Sequence, residues 1–484
     1  MTTRRLSDLV QRAMPVDPQI TGVTADSRQV RPGFLFAALP GSSDDGRAFI
    51  PAALAAGAAA VLCADTPDPA LGVPVVQVAD VRRAYALTAA AFWGAQPAIC
   101  VAVTGTNGKT SVAAFCRQIF TALGRKAASM GTLGVRAGDE QITPPGLTTP
   151  DAADVARLLA DLAARGVTHL ALEASSHGVH QRRLDGVRLA AAGFLNLTQD
   201  HLDYHGTMGA YRAAKLRLFE DLLPRGATAV LNADSDSFAA FVETAAASGH
   251  TVLSVGEHGQ SLRLLTRTPG ASGQHLVIEH LGRRHDVRLP LAGAFQAGNA
   301  LIAAGLCIAA GEDVGAVLAA LEHIEGAPGR LQRVGHAAKG GEAYVDYAHT
   351  PDGLETVLTA LRPHVKGRLI LVFGAGGDRD RGKRPLMGAI AARLADVAIV
   401  TDDNPRGEVP AAIRVEIMAG GEGLTEIGDR RAAIRAAAAM LGAGDVMVVA
   451  GKGHEQGQIV GGVTYAFDDV AETAAALGLE VAHV

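Results

Sequence analysis

The chain has 484 residues, 48% hydrophobic and 19% charged, a composition that excludes a disordered polymer and a length that allows about three domains, each with its own core. Its formal net charge is -5 at pH 7. With no long basic run, that balance excludes a nucleic-acid surface and favours small-molecule partners.

From the start, Met1-Thr2-Thr3-Arg4-Arg5 runs into Leu6-Ser7-Asp8-Leu9, which breaks any signal-peptide core, so secretion is not expected. Ala25-Asp26-Ser27-Arg28 and the stretch from Pro40 to Arg47 read locally as turns and caps. The longest apolar run, Ala52 to Ala64, ends at Asp65. It is too short to span a bilayer, so a buried helix and strand in a cytoplasmic protein without membrane association are expected. Cys63, Cys100, Cys116 and Cys307 stand far apart without CxxC spacing, as buried reduced thiols do.

A second block opens at Ala98 to Val103, an unbroken apolar run with the character of a buried parallel strand. A Gly-rich turn follows, and then Val112, Phe115, Ile119, Phe120 and Leu123 recur at helical spacing until Gly124. Lys109 and Thr110 therefore sit on a helix's first turn, where backbone N–H groups face an anion. From there Lys109 can reach terminal phosphates and Thr110 can ligate Mg²⁺. The general phosphate-loop pattern wants glycine where Val103 stands, and Gly105 takes its place, so a plain turn remains the alternative.

Further along, Thr149-Pro150-Asp151 reads as a helix start with Thr149 as the cap. Thr168 to Glu173 reads as a strand with a carboxylate at its C-terminal end, the edge where α/β sheets bind ligands. Asp200, His201, Asp203 and His205 lie close together but lack the spacing of a transition-metal site. Lys215 lies on an amphipathic helix, Tyr211 to Phe219, where local chemistry alone makes it a solvated charge. Gly256 to Pro290 predicts short antiparallel strands, and Asn299 reads as the start of a helix reaching Ala310.

The last block returns to strands near Ala343–Tyr347, Arg368–Phe373, Val397–Thr401 and Asp445–Ala450. Three of them run into polar loops, Gly374 to Arg379, Asp402 to Arg406 and Gly451 to Glu455, which parallel strands would gather at one edge. Arginines there suit carboxylates, and Glu455 suits an ammonium.

Thr104 to Thr110, Thr-Gly-Thr-Asn-Gly-Lys-Thr, resembles the phosphate loop of the Mur ligase family at every position, and matching segments run from about Thr24 to Glu455. The resemblance implies an α/β protein of three domains. Residues 1–97 would bind a UDP-linked substrate, 98–328 would form a central P-loop ATPase-type parallel sheet, and 329–484 a Rossmann-like, amino-acid-binding domain. It implies a monomeric, cytoplasmic ATP-dependent acid–amino-acid ligase that uses Mg²⁺. The members it resembles join meso-diaminopimelate to UDP-N-acetylmuramoyl-L-alanyl-D-glutamate, the UDP-muramoyl dipeptide of peptidoglycan precursor synthesis.

Carried over by position, ATP contacts fall on Gly105, Thr106, Asn107, Gly108, Lys109, Thr110 and Ser111, and on Asn299, Arg330 and Asp346. Glu173 matches a Mg²⁺ ligand beside Thr110, and His201 a ligand of a second ion. Lys215 matches a lysine that reacts with CO₂ to give N6-carboxylysine, which requires a neutral amine. Together with Lys109 these form the expected catalytic set. Ser27, Ser42, Ser43 and Asp44 match positions that hold UDP, and Thr148, Thr149, Ser175, Gln181 and Arg183 positions that hold the muramoyl peptide. Diaminopimelate is expected at Arg379, Asp403, Asn404, Pro405, Arg406, Gly451 and Glu455. Members that add lysine lack the arginine at Arg406, because only the second carboxylate of diaminopimelate gives it a partner. A lysine-adding ligase and a folylpolyglutamate-type ligase are the alternatives within this reaction class, and an ATP-driven switch protein the alternative outside it.

Overall fold

The computed structural model describes residues 2–41, 45–65, 71–270 and 273–479. The chain packs as two compact units, Met1–Leu262 with Ile302–Val317, and Arg263–Leu301 with Leu318–Val484. Strands alternate with helices in both, as an α/β layering requires.

The first unit contains a small parallel sheet of Gly22–Thr24, Phe34–Ala37, Ala60–Cys63 and Val75–Gln77, in that order. The helix Val81–Trp93 closes its core, and the same cluster takes in Ala152 and Ala156 of the helix Ala152–Ala164. A hydrogen bond spans the two helices, the Tyr85 hydroxyl donating to Asp151 Oδ1 at 2.6 Å.

The unit's larger array places Ile99–Thr104 between His169–Glu173 and Ala191–Phe194, all parallel. Ala127–Gly131 flanks one side, and Thr228–Asn232 with Thr251–Gly256 the other. Five of the six residues of Ile99–Thr104 are buried, consistent with its unbroken apolar sequence. The helix Lys109–Ala122 springs from its C-terminal end and stops just before Gly124, whose φ is +77°.

From Arg263 on, where the second unit begins, the strands Leu262–Gly270, Gly273–His280 and Arg283–Leu289 pair antiparallel, as the short alternating runs predict. The unit's main sheet orders Gln332–His336, Glu342–Asp346, Val446–Ala450, Leu369–Phe373, Val397–Val400 and Thr425–Glu426, parallel except for the first strand. Asp346 pairs with Ala450 and Phe373 with Val400, so the loops that follow leave from one edge.

Three local expectations shift. Asp151, not Thr149, caps the helix Ala152–Ala164 by accepting from Ala153 N, because the Thr149 hydroxyl is engaged at the next strand end. The helix bearing Asn299 already starts at Ala294, since nothing in Ala294-Phe295-Gln296-Ala297 opposes helix, so Asn299 is interior. Lys215 lies on the inward face of the helix Met208–Arg217 and is only 1% exposed. All four cysteines are buried and free, and among the described residues no helix is long and apolar enough to cross a membrane.

Candidate active site

The phosphate loop is fastened to the segment that follows Ala191–Phe194. Thr106 N donates to Asn196 O at 3.0 Å and Asn107 N to Asn196 Oδ1 at 2.9 Å, while Thr198 N donates to Thr106 Oγ1 at 3.0 Å. Gly108 sits at φ +89° immediately before the helix, and Thr110 and Ser111 are buried in its first turn. Lys109 Nζ folds back and donates to the carbonyls of Gly105 and Thr106, each at 2.8 Å.

Lys215 Nζ donates to the same Gly105 carbonyl at 2.8 Å and lies 4.4 Å from the Tyr211 ring centroid. Burial, and then the charge of Lys109, hold its ammonium well below the ordinary lysine range. That direction favours the neutral amine over the ammonium.

Glu173, 2% exposed, accepts from Thr110 Oγ1 at 3.0 Å and from Thr132 N at 2.9 Å. Gly131 makes room for it, since a Cβ there would fall on the Glu173 carboxylate. A hydroxyl and a carboxylate so paired are hard oxygen donors of the kind Mg²⁺ takes. Among the described residues no three His, Cys, Asp or Glu side chains are grouped to hold a metal by themselves. His201 caps the short helix Leu202–His205 at φ +51°, its ring centroid 4.8 Å from that of His177 and its Nε2 3.5 Å from Asp200 Oδ2.

Thr148, Thr149, Ser175, Gln181 and Arg183 belong to one network that begins at Glu173. Thr149 Oγ1 donates to Glu173 O at 2.9 Å and receives Ser175 N at 3.1 Å, and Arg183 Nη1 donates to Thr149 O at 2.7 Å. Arg183 Nη2 reaches Gln181 Oε1 at 2.7 Å, and Thr132 Oγ1 lies 2.9 Å from Thr148 Oγ1. Gln181 Nε2 in turn donates to Tyr204 OH at 3.0 Å. Ser27 lines a separate cavity of about 1050 Å³ whose walls include Phe34, Tyr85, Phe92, Trp93 and Asp151. Ser42, Ser43 and Asp44 lie outside the described residues.

In the second unit, Asn299 Nδ2 donates to Gln296 Oε1 at 3.0 Å, and Gln296 Nε2 to Arg330 O at 3.2 Å. Arg330 stacks 4.6 Å over the Tyr347 ring. Asp346 accepts from Leu331 N at 2.6 Å and Ala348 N at 2.8 Å, and burial, opposed by Arg330, raises its carboxyl to about 6.

The three polar loops of this unit interlock. Gly377 N donates to Asn404 O at 2.9 Å, and Arg406 Nη1 to Gly377 O at 2.8 Å. Arg406 holds φ +51°, while Arg379 is exposed at its loop's tip and Pro405 is buried. The buried Arg384 braces the arrangement through Glu408, whose Oε1 also accepts from Asp378 N at 2.7 Å. Asp403 lies close against Gly451, where a Cβ would stand 2.5 Å from Asp403 Oδ2. Asn404 Nδ2 donates to Glu455 Oε2 at 2.8 Å. Sequence reasoning missed Thr132, Tyr204, Arg384 and Lys452. Only Lys452 had a local signal, as a cation between two glycines in a loop already singled out.

A phosphate loop beside a buried carboxylate, with basic and acidic loops at a parallel-sheet edge of the second unit, defines an ATP-dependent, amide-forming ligase. Three family models match in succession: the Mur ligase family catalytic domain over residues 19–93, the Mur ligase middle domain over 103–307, and the glutamate ligase domain of Mur ligases over 329–453. The chain belongs to the Mur ligase family. It is 70% identical over 480 residues to the UDP-N-acetylmuramoyl-L-alanyl-D-glutamate–2,6-diaminopimelate ligase of Caulobacter vibrioides, covering 98% of this chain and 99% of that one. The protein of the same name from Bradyrhizobium diazoefficiens is 53% identical, over 99% of this chain and 100% of the relative. A solved structure of a ligase with that name matches with a TM-score of 0.76 at 35% identity, covering 99% of both chains.

Proposed function

We propose that this ligase joins meso-diaminopimelate to the D-glutamyl carboxylate of UDP-N-acetylmuramoyl-L-alanyl-D-glutamate, using ATP, as a cytoplasmic monomer of peptidoglycan precursor synthesis. One observation supports the choice of amino acid most directly: Arg406 is braced on Gly377 O at the same sheet edge as Asn404 and Glu455. A guanidinium fork and a carboxylate side by side suit an amino acid that bears both charges.

Thr110 and Glu173 would hold Mg²⁺, and His201 a second ion. When bound, the metal neutralises phosphate charge. Lys109 exchanges its carbonyl partners for phosphate oxygens and stabilises the γ-phosphoryl group as it moves to the D-glutamyl carboxylate. The resulting acyl phosphate is needed because a carboxylate at neutral pH is a poor acylating agent. The neutral amine of diaminopimelate attacks the acyl carbon, and the tetrahedral intermediate expels phosphate, which leaves as hydrogen phosphate with the proton the amine loses, to give the amide.

Lys215 carries a carbamate, formed as its neutral amine adds to CO₂ with release of one proton. Asn299, Arg330 and Asp346 hold the nucleotide. Ser27 and the residues at 42–44 hold the UDP end, and Thr148, Thr149, Ser175, Gln181 and Arg183 hold the muramoyl peptide. The labour divides among residues 1–97, 98–328 and 329–484.

The test is a substrate panel. With ATP, Mg²⁺ and the UDP-muramoyl dipeptide, phosphate and a new peptide mass should form with meso-diaminopimelate and not with lysine or glutamate. Equal turnover of lysine would overturn the assignment of Arg406, and phosphate release without any amino acid would favour a switch protein.

A further inference from the structure

Lys452 has no part in the reaction above, yet it lies wholly inside the amino-acid loops. It is 0% exposed, and lysine is almost never so buried without partners. Its Nζ donates to Asn404 Oδ1 at 2.9 Å and lies 3.4 Å from Glu455 Oε2 and 3.9 Å from Asp403 Oδ1. Asn404 Oδ1 also receives Ile459 N at 2.9 Å.

Both of these partners can only donate, so the amide oxygen must face them and the amide nitrogen must face Glu455. The orientation is therefore dictated by chemistry. One hydrogen of Asn404 Nδ2 goes to Glu455 Oε2, which pins that oxygen and leaves the carboxylate's second oxygen for a ligand. Nearby, the buried Arg430 is neutralised by Asp469 at 2.7 Å. Lys452 thus sits against both carboxylates, Asp403 and Glu455, as well as the Asn404 amide.

We propose that Lys452 is a positioning residue for amino-acid recognition: it locks the Asn404 amide and the Glu455 carboxylate in the arrangement that receives the ammonium. This rests on the diaminopimelate reading of the site.

The experiment is steady-state kinetics of Lys452→Met in the full chain, with meso-diaminopimelate, ATP and the UDP-muramoyl dipeptide each varied in turn. KM for diaminopimelate should rise about 10- to 100-fold, the loss expected for a hydrogen-bonded charge. KM for the other two substrates should stay within about twofold, since uniform loss would signal a damaged fold. The double variant Lys452→Met/Asn404→Ala should be little worse than Asn404→Ala alone, and additive losses would overturn the proposal.

If Lys452→Met does not melt cooperatively, Asn404→Asp provides an independent arm. It keeps the acceptor that Lys452 and Ile459 use but sets an anionic oxygen against Glu455, so the same rise in KM is expected and an unchanged KM overturns the proposal. A wild-type enzyme that ignores meso-diaminopimelate overturns the substrate reading and this proposal with it. A wild-type enzyme that uses it, beside a Lys452→Met enzyme of unchanged KM, overturns the proposal alone.

Discussion

Replacing Gly131 by alanine probes how tightly the strand-end carboxylate is held. The new Cβ would overlap the Glu173 carboxylate and stand 2.6 Å from Glu173 Cγ, whereas ordinary contact starts near 3.4 Å. The side chain must retreat by about 1 Å, a misplacement that typically lowers turnover about a hundredfold. The retreat stretches the hydrogen bonds from Thr110 Oγ1 and Thr132 N, and since bonds to a charged group contribute about 1.5–3 kcal/mol each, a net stability loss of about 2 kcal/mol is expected. The assay is phosphate release with the complete substrate set, alongside urea unfolding. Gly209→Ala is the control. Its position is exposed, with nothing nearer than Thr207 Oγ1 at 3.8 Å, so turnover should be unchanged and the helix should gain about 0.5 kcal/mol. A Gly131→Ala enzyme with kcat within about threefold of wild type would refute the claim that the position of Glu173 matters to the chemistry.

Arg406→Ala should lower kcat/KM for meso-diaminopimelate about 10²- to 10³-fold through the loss of two charge-assisted hydrogen bonds, with KM for ATP unmoved; equal losses for both would contradict the assignment. Arg430→Met should destabilise the protein by about 3–5 kcal/mol by stranding the fully buried Asp469, and Arg430→Met/Asp469→Leu should recover most of that in chemical denaturation. Asp346 should titrate near pH 6 by carboxyl ¹³C NMR. Because its folded value is raised, the stability it contributes is complete below about pH 4 and lost as pH rises through about 6. A midpoint below 4 would mean that the Leu331 and Ala348 amides outweigh burial. Labelled bicarbonate should give a carbamate ¹³C signal that persists at neutral pH and vanishes in Lys215→Ala; its absence from the wild type would remove the carbamate from the mechanism.

Local sequence placed Lys109, Thr110 and Glu173 on the right elements, because an apolar strand, a glycine turn and a strand-end carboxylate each leave a short-range mark. The gathering of three polar loops at one edge was legible for the same reason, once the strands were taken as parallel. What failed to show was decided by packing. Whether Lys215 faces water or the interior depends on which side of its helix meets the phosphate loop, and hydrophobic spacing alone does not say. Thr149 looks like a cap because threonine before proline usually is one, yet its hydroxyl is claimed by a strand 24 residues away in the chain. Tyr204 and Lys452 act through partners far off in sequence, so nothing beside them announces their contacts. The proposed role of Arg406 in choosing the amino acid comes from the resemblance, since its own neighbours in the sequence do not announce one.

The seam between Val81–Trp93 and Ala152–Ala164 sets limits for anyone recombining this chain with its relatives. Ala152 and Ala156, beyond residue 97, pack in one cluster with Val81, Tyr85 and Phe92 before it, and the Tyr85–Asp151 hydrogen bond crosses the same point. A chimaera spliced at Pro97 would bring together two faces that never adapted to one another, whereas a graft that also transplants the first turns of the later helix keeps the matched surfaces intact.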